Sequence, residues 1–150
     1  MATLALVCAD GSELAMQAAK AGLELLRPMD RVIVVTVVED VDPWLAADGS
    51  GHAGSTMTPE ELEKHQAAVT GAGNDIVQSA AAALGAAVET RILEGNPGEA
   101  LCSFAAEVSA NALVMGSRGR GRVKRALLGS VSDYVIRNAP CPVVVMGDTD

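Results

Sequence analysis

The stretch GSRGRGRVKRALLGS, Gly116 to Ser130, gathers five of the chain's eleven basic residues, Arg118, Arg120, Arg122, Lys124 and Arg125, among four glycines. It follows an apolar run, NALVMG, and leads into a helical pattern, SVSDYVIRN. A strand that stops at glycine, a loop, and a helix opening at Gly129-Ser130 would set unpaired backbone N–H groups around a concavity, at the positive end of a helix dipole. Glycines let a phosphate oxygen approach the backbone, and neighbouring Arg or Lys side chains add charge. The chemistry such a segment could perform is anion binding, phosphate above all. The residue types fit a plainer reading as well: a strand-to-helix turn, Ser130 as a helix cap, and the Arg/Lys run as a solvated face. Spacing alone leaves both open.

The rest of the chain narrows the anion. A net charge of −8 makes the protein as a whole repel nucleic acid and anionic membranes, so neither is an expected partner. Its rings are Trp44, Phe104 and Tyr134, too few to stack successive bases. Cys8, Cys102 and Cys141 are widely spaced, with no CxxC pair, which suits free thiols in a reducing cytoplasm. The opening MATLALVCADG has no basic residue ahead of its apolar part and meets Asp10 early, so it reads as a strand and not a signal peptide. No apolar run approaches the roughly 18 to 20 residues of a membrane span. A soluble cytoplasmic protein is expected.

The elements that must position the loop alternate along the chain. Leu4 to Ala9 is a short apolar run, ELAMQAAKAGLELLR is helical up to Pro28, and Arg31 to Val38 is β-branched almost throughout, the mark of a strand buried on both faces. Residues 39–57 are rich in Gly, Asp and Ser and form a long connection. Thr58, Pro59 and Glu61 spell a capping box for a helix towards Leu84, weakened in its middle by Gly71 and Gly73. AAVETRIL predicts a third strand near a sheet edge, EGNPGEALCSFAAEVSA a turn and an amphipathic helix, and NALVMG a fourth, buried strand. A helix from Ser130 to about Asn138 and a fifth strand over APCPVVVM complete the pattern. Strand and helix alternating over residues 1–150 predict one α/β domain, an open parallel five-stranded sheet with helices on both faces.

Familiar nucleotide motifs are excluded. Gly116 and Gly121 are followed by Arg122, which breaks GxxxxGK[ST], and Lys124 stands where GxGxxG needs its third glycine. CADGSE after the first strand is not the SGGxDS loop of adenylating enzymes. His52 and His65 form no metal or triad pattern.

The segment from Gly116 instead resembles the G-2x-G-9x-G-[ST] signature of the universal stress protein family, at Gly116, Gly119, Gly129 and Ser130. LVCADGSELAMQAA, VIVVTVVED, EGNPGEAL, NALVMGSRG and GSVSDYVIRNAPCPVVVM are similar to other parts of that family, with Asn111 where it usually has Asp. The resemblance implies strand order 3-2-1-4-5 and a nucleotide where the order reverses, between strands one and four. It implies ATP binding by Asp10, by the backbone of Val37 against adenine, and by Gly116, Arg118, Gly119, Gly129, Ser130 and Val131 around ribose and phosphates. A triphosphate beside Asp10 would recruit Mg²⁺. The last strand, Pro142 to Met146, would pair antiparallel with its copy in a homodimer, and proline at Val144 would give a monomer or a destabilised chain. The function implied is an ATP-binding regulatory stress-response protein. A slow ATPase or self-phosphorylating enzyme, with Ser130 or Ser117 as acceptor, is the rival, and a nucleotide-free scaffold the third reading. Asp10 is the only acid placed at the mouth, so binding is favoured over turnover. Nothing in the sequence names a protein partner.

Overall fold

The computed structural model describes residues 2–39, 58–85, 87–117 and 128–147. In chain order these form β1 (Leu4–Cys8), α1 (Glu13–Leu25), β2 (Arg31–Val38), α2 (Pro59–Leu84), β3 (Val88–Glu94), α3 (Pro97–Glu107), β4 (Ala112–Gly116), α4 (Ser130–Asn138) and β5 (Val143–Met146). The strands make one parallel sheet of order β3-β2-β1-β4-β5, as the resemblance implied. Residues 40–57 of the long connection and the loop holding Arg118 and Gly119 lie outside the described residues.

Two apolar layers explain the continuous Val/Leu runs. Leu4, Leu6, Ile33, Val35, Leu113 and Met115 point to one face, where Leu101, Phe104 and Ala105 of α3 and Val135 of α4 cover them. Val7, Val34 and Val114 point to the other, under Ala19 of α1 and Val77 and Ala80 of α2. Central strands covered on both sides have no polar face, so their sequences do not alternate. Glycine permits close approach of α1 to the sheet and of α3 to α4. A side chain at Gly22 would collide with Val114, and a Cβ at Gly98 would sit 2.7 Å from Cδ1 of Tyr134. The first glycine seats α1 on the sheet, and the second lets α3 and α4 touch.

Helix starts follow the sequence signals. Ser12 Oγ accepts from the Ala15 N–H and Asn96 Oδ1 from the Glu99 N–H. At α2 the Thr58 N–H donates to Glu61 Oε2 at 2.8 Å while the Glu61 N–H donates to Thr58 Oγ1 at 3.2 Å, the expected capping box. Asn111 accepts the Leu4 N–H on Oδ1 and donates its own N–H to Leu4 O, both at 2.8 Å. An aspartate would accept the first bond equally, so this departure from the family pattern keeps β1 tied to β4.

The two glycines of α2 are not equivalent. A Cβ on Gly71 meets nothing within 4 Å, whereas one on Gly73 meets Val38 Cγ1 at 2.8 Å. Gly71→Ala should therefore stabilise the protein by about 1 kcal/mol through helix propensity alone. Gly73→Ala should lose that gain to overpacking of about 1–3 kcal/mol. Urea midpoints moving in opposite directions are the expected result, and equal shifts would contradict the packing described.

β5 is shorter than expected, because Ala139 caps α4, donating its N–H to Val135 O, and Pro140 and Pro142 precede the ladder. The Leu113 N–H donates to Pro142 O and the Ser117 N–H to Met146 O. Successive residues of a strand alternate in the side to which they turn their backbone groups. Residues 142, 144 and 146 thus face β4, and Val143 and Val145 face the open edge. At the opposite edge, Glu89 of β3 holds Arg31 of β2 through two bonds of 2.7 and 2.9 Å.

Candidate functional site

β1 stops before β2 does. Its last link is the Ala9 N–H donating to Val35 O at 2.8 Å, while β2 continues to Val38, whose carbonyl takes the Gly95 N–H from the β3 side. By alternation Val37 turns its N–H and C=O to the side β1 has vacated. On the other side of β1 the chain leaves β4 in the opposite direction, towards β5. A crevice opens where the order reverses, as the geometry of open α/β sheets requires.

That crevice is a cavity of about 760 Å³, bordered by Asp10, Val37, Gly116, Gly129, Ser130 and Val131. Six of the eight residues expected from the sequence therefore meet at one place, and the remaining two, Arg118 and Gly119, lie outside the described residues.

Each arrives there for a local reason. Gly11, at φ 81°, turns the chain out of β1 in a conformation that favours glycine. Asp10 stabilises the same turn: its Oδ1 accepts the Ser12 N–H at 2.8 Å and also the Ser12 hydroxyl. The turn-former and cavity-lining roles of Asp10 thus coexist, and among the described residues Oδ2 takes part in no hydrogen bond.

Gly129 is the N-cap of α4, with φ −74° and ψ 162°, and no side chain caps this helix. The first helical bond runs from the Asp133 N–H to Gly129 O at 2.9 Å, so the N–H groups of Ser130, Val131 and Ser132 have no acceptor within the helix. The other described helices are capped by Ser12, Thr58 and Asn96. The uncapped helix end borders the cavity.

Three features escaped the sequence. Val69, Ala72, Gly73 and Ile76 of α2 wall the far side of the cavity. Glu39 joins Asp10 as a second carboxylate at its margin, correcting the expectation of one acid. Ser132, 2% exposed, places its hydroxyl 2.6 Å from Ser117 O and 3.0 Å from Gly129 O. A serine three residues before Val135, on the inward face of an amphipathic helix, was the signal available for it.

Cys8 also borders the cavity, and burial, followed by the nearby Asp10 carboxylate, pushes its thiol up from 9.0 to about 12. It is a neutral wall atom and not a nucleophile at pH 7. In the unfolded chain the thiol ionises near 9.0, so this group's contribution to stability is full below that pH and is lost as pH rises towards about 12. At pH 8 alkylation of Cys8 should be at least about tenfold slower in the native protein than in urea, because the raised thiol pKa lowers the thiolate fraction more than it raises the thiolate's reactivity. Equal rates by mass spectrometry would place Cys8 outside the wall.

Among the described residues no group of three or more His, Cys, Asp or Glu could hold a metal ion, and no helix is long and apolar enough to cross a membrane.

The sequence profile of the universal stress protein family matches residues 1–147. Universal stress protein MJ0531 of Methanocaldococcus jannaschii is 34% identical over 139 residues, spanning 91% of this chain and 77% of its own. In fold, the chain is similar to hypothetical protein MJ0577, with a TM-score of 0.79 at 23% identity over 100% of this chain and 99% of that one. It is also similar to a universal stress protein family member of Arabidopsis thaliana solved with AMP bound, with a TM-score of 0.61 at 17% identity over 98% and 92% of the two chains. With its glycine signature, its parallel sheet and its crevice at the reversal of strand order, the chain belongs to the universal stress protein family.

Proposed function

We propose that the crevice binds an adenine nucleotide, ATP in particular, and that the protein is a homodimeric regulatory module whose output follows nucleotide occupancy. The observation that carries this reading is the uncapped N-terminus of α4 bordering the same cavity as the open backbone of Val37. One end offers three N–H groups to an anion. The other offers a donor and an acceptor side by side to the edge of a base, beneath the apolar wall of α2. The AMP bound to the Arabidopsis relative supports an adenine nucleotide as the occupant.

In this arrangement adenine meets Val37, and ribose and phosphates run past Gly116 towards Gly129, Ser130 and Val131. Arg118 and Gly119 belong to the same phosphate end by their place in the signature. Asp10 is the residue that would hold Mg²⁺, with phosphate oxygens and water completing its shell, and the ion would supply charge neutralisation. Binding is the activity for which the open N–H groups and the open strand edge provide directly; of the two carboxylates bordering the cavity Asp10 is engaged in its turn, and Glu39 is the group a hydrolysis assay on MgATP would test as a base. The dimer reading rests on β5, a half-buried and uncharged edge strand of Val143 to Met146.

Isothermal titration with MgATP, preceded by mass analysis of small molecules released on denaturation, tests the proposal. Saturable binding with one site per chain is expected. No saturable heat at millimolar ATP, from protein shown to be nucleotide-free, would overturn it.

A further inference from the structure

We infer that Ser132 is a positioning residue for the phosphate end of the crevice, acting through Ser117 and Gly129 and not through its own contact with ligand; this rests on the nucleotide-binding reading above. Ser132 stands in the first turn of α4 and is almost completely buried. Its hydroxyl has one proton to donate. The nearer acceptor is Ser117 O at 2.6 Å, with Gly129 O at 3.0 Å. The same Ser117 carbonyl accepts the Gly129 N–H at 2.7 Å, so both of its lone pairs are used. The Ser117 N–H is committed as well, to Met146 O at 2.8 Å. A single residue at the end of β4 is therefore fastened to the first turn of α4 by two bonds and to β5 by a third.

Two bonds to one carbonyl do what one cannot. The Gly129 N–H alone would fix a distance and leave the direction of the first turn of α4 to side-chain packing further along the helix, whereas the second bond, from three residues on, fixes that direction at the turn itself. What is held is the direction in which the Ser130 and Val131 N–H groups point, and their separation from Gly116 across the cradle. Val37, on β2 at the opposite end of the cavity, has no part in this fastening. The arrangement thus separates the two ends of a nucleotide: Ser132 should matter for the phosphates and not for the base.

Ser132→Ala should fold, since alanine is the best helix former and the Ser117 carbonyl keeps the Gly129 N–H. Affinity for ATP should fall about tenfold, the value of one buried hydrogen bond, with adenosine affinity unchanged within twofold. Ser132→Cys, close in size with a weaker donor, should give a smaller loss in the same direction. A residue that only stabilised the fold would weaken both ligands alike, so equal losses for ATP and adenosine overturn the inference, as does an ATP affinity of Ser132→Ala equal to wild type. Wild-type protein that binds neither ligand overturns the nucleotide reading itself, and this inference with it.

Discussion

Replacing Gly129 with valine is expected to abolish ATP binding while leaving the fold in place. The reason lies in what this glycine leaves open. Its φ of −74° and ψ of 162° are available to any residue, so the position does not need glycine for its backbone. Its N–H and C=O bonds, to Ser117 O and from the Asp133 N–H, survive substitution. The loss of stability should stay near 1 kcal/mol, the penalty of a poorer N-cap. What the missing side chain leaves is room beside the unpaired N–H groups of α4. A branched side chain there stands where a phosphate oxygen must come, and we expect at least a hundredfold loss of affinity, about 2.7 kcal/mol. Titration calorimetry with a parallel circular dichroism melt decides the matter: unchanged affinity in a folded variant would put the phosphate site elsewhere.

The second large effect concerns assembly, and the register of β5 decides which residue to change. Val144 turns its N–H to β4, where by alternation it meets Leu113 O, so proline there breaks the sheet from within. Val144→Pro should lose about 2 kcal/mol or more, for the broken bond and the orphaned carbonyl together. Of the two outcomes expected for that substitution, the register selects the destabilised chain. Val145 faces outward, and proline at that position removes a donor only from the open edge.

In an antiparallel pair of β5 strands the outward groups of Val143 and Val145 allow at most about four hydrogen bonds, worth roughly 4 kcal/mol net. A micromolar dimer needs about 8 kcal/mol, so side-chain burial must supply the remainder. Val145→Pro removes two of the four bonds and adds a ring to the pairing edge. That is at least about 2 kcal/mol, or roughly thirtyfold, before sterics. Sedimentation equilibrium at micromolar concentration should show twice the 15.3 kDa chain mass for wild type and a folded monomer for Val145→Pro. A wild-type monomer would end the dimer proposal whatever the nucleotide does.

The contrast between Val144 and Val145 also marks where sequence stopped being informative. The buried runs at Leu4, Arg31 and Ala112 were legible because strands covered on both faces leave no polar positions, and that property is written residue by residue. The capping box at Thr58 was legible because its partners are three residues apart. The side to which a backbone N–H points depends on the register of β5 against β4, and four valine-like residues are the same string in either register.

The site divides along the same line. Asp10, Val37 and the glycines were reached through their resemblance to a known signature, and the cavity brings the described ones together. Gly73 was read only as a weak point in its helix, since its reason for being glycine is Val38 on another strand. Ser132 was passed over because a serine on an inward helix face has no meaning until Ser117 O is found opposite it. Local signals could be read; contacts across the fold could not.

The packing of Tyr134 on Gly98 has a practical side. The chain contains one tyrosine, and its ring lies where α3 packs on α4. Pro97, beside Gly98, and Val131, one turn before Tyr134, both border the crevice. A molecule in the crevice would therefore lie against both helices that flank the ring. With 37% of its surface open to water, the ring sits at an interface where a small shift changes its solvent contact. The protein thus carries its own reporter: the ring resonances of this single tyrosine in a proton spectrum should shift on occupancy of the crevice in untagged protein at equilibrium.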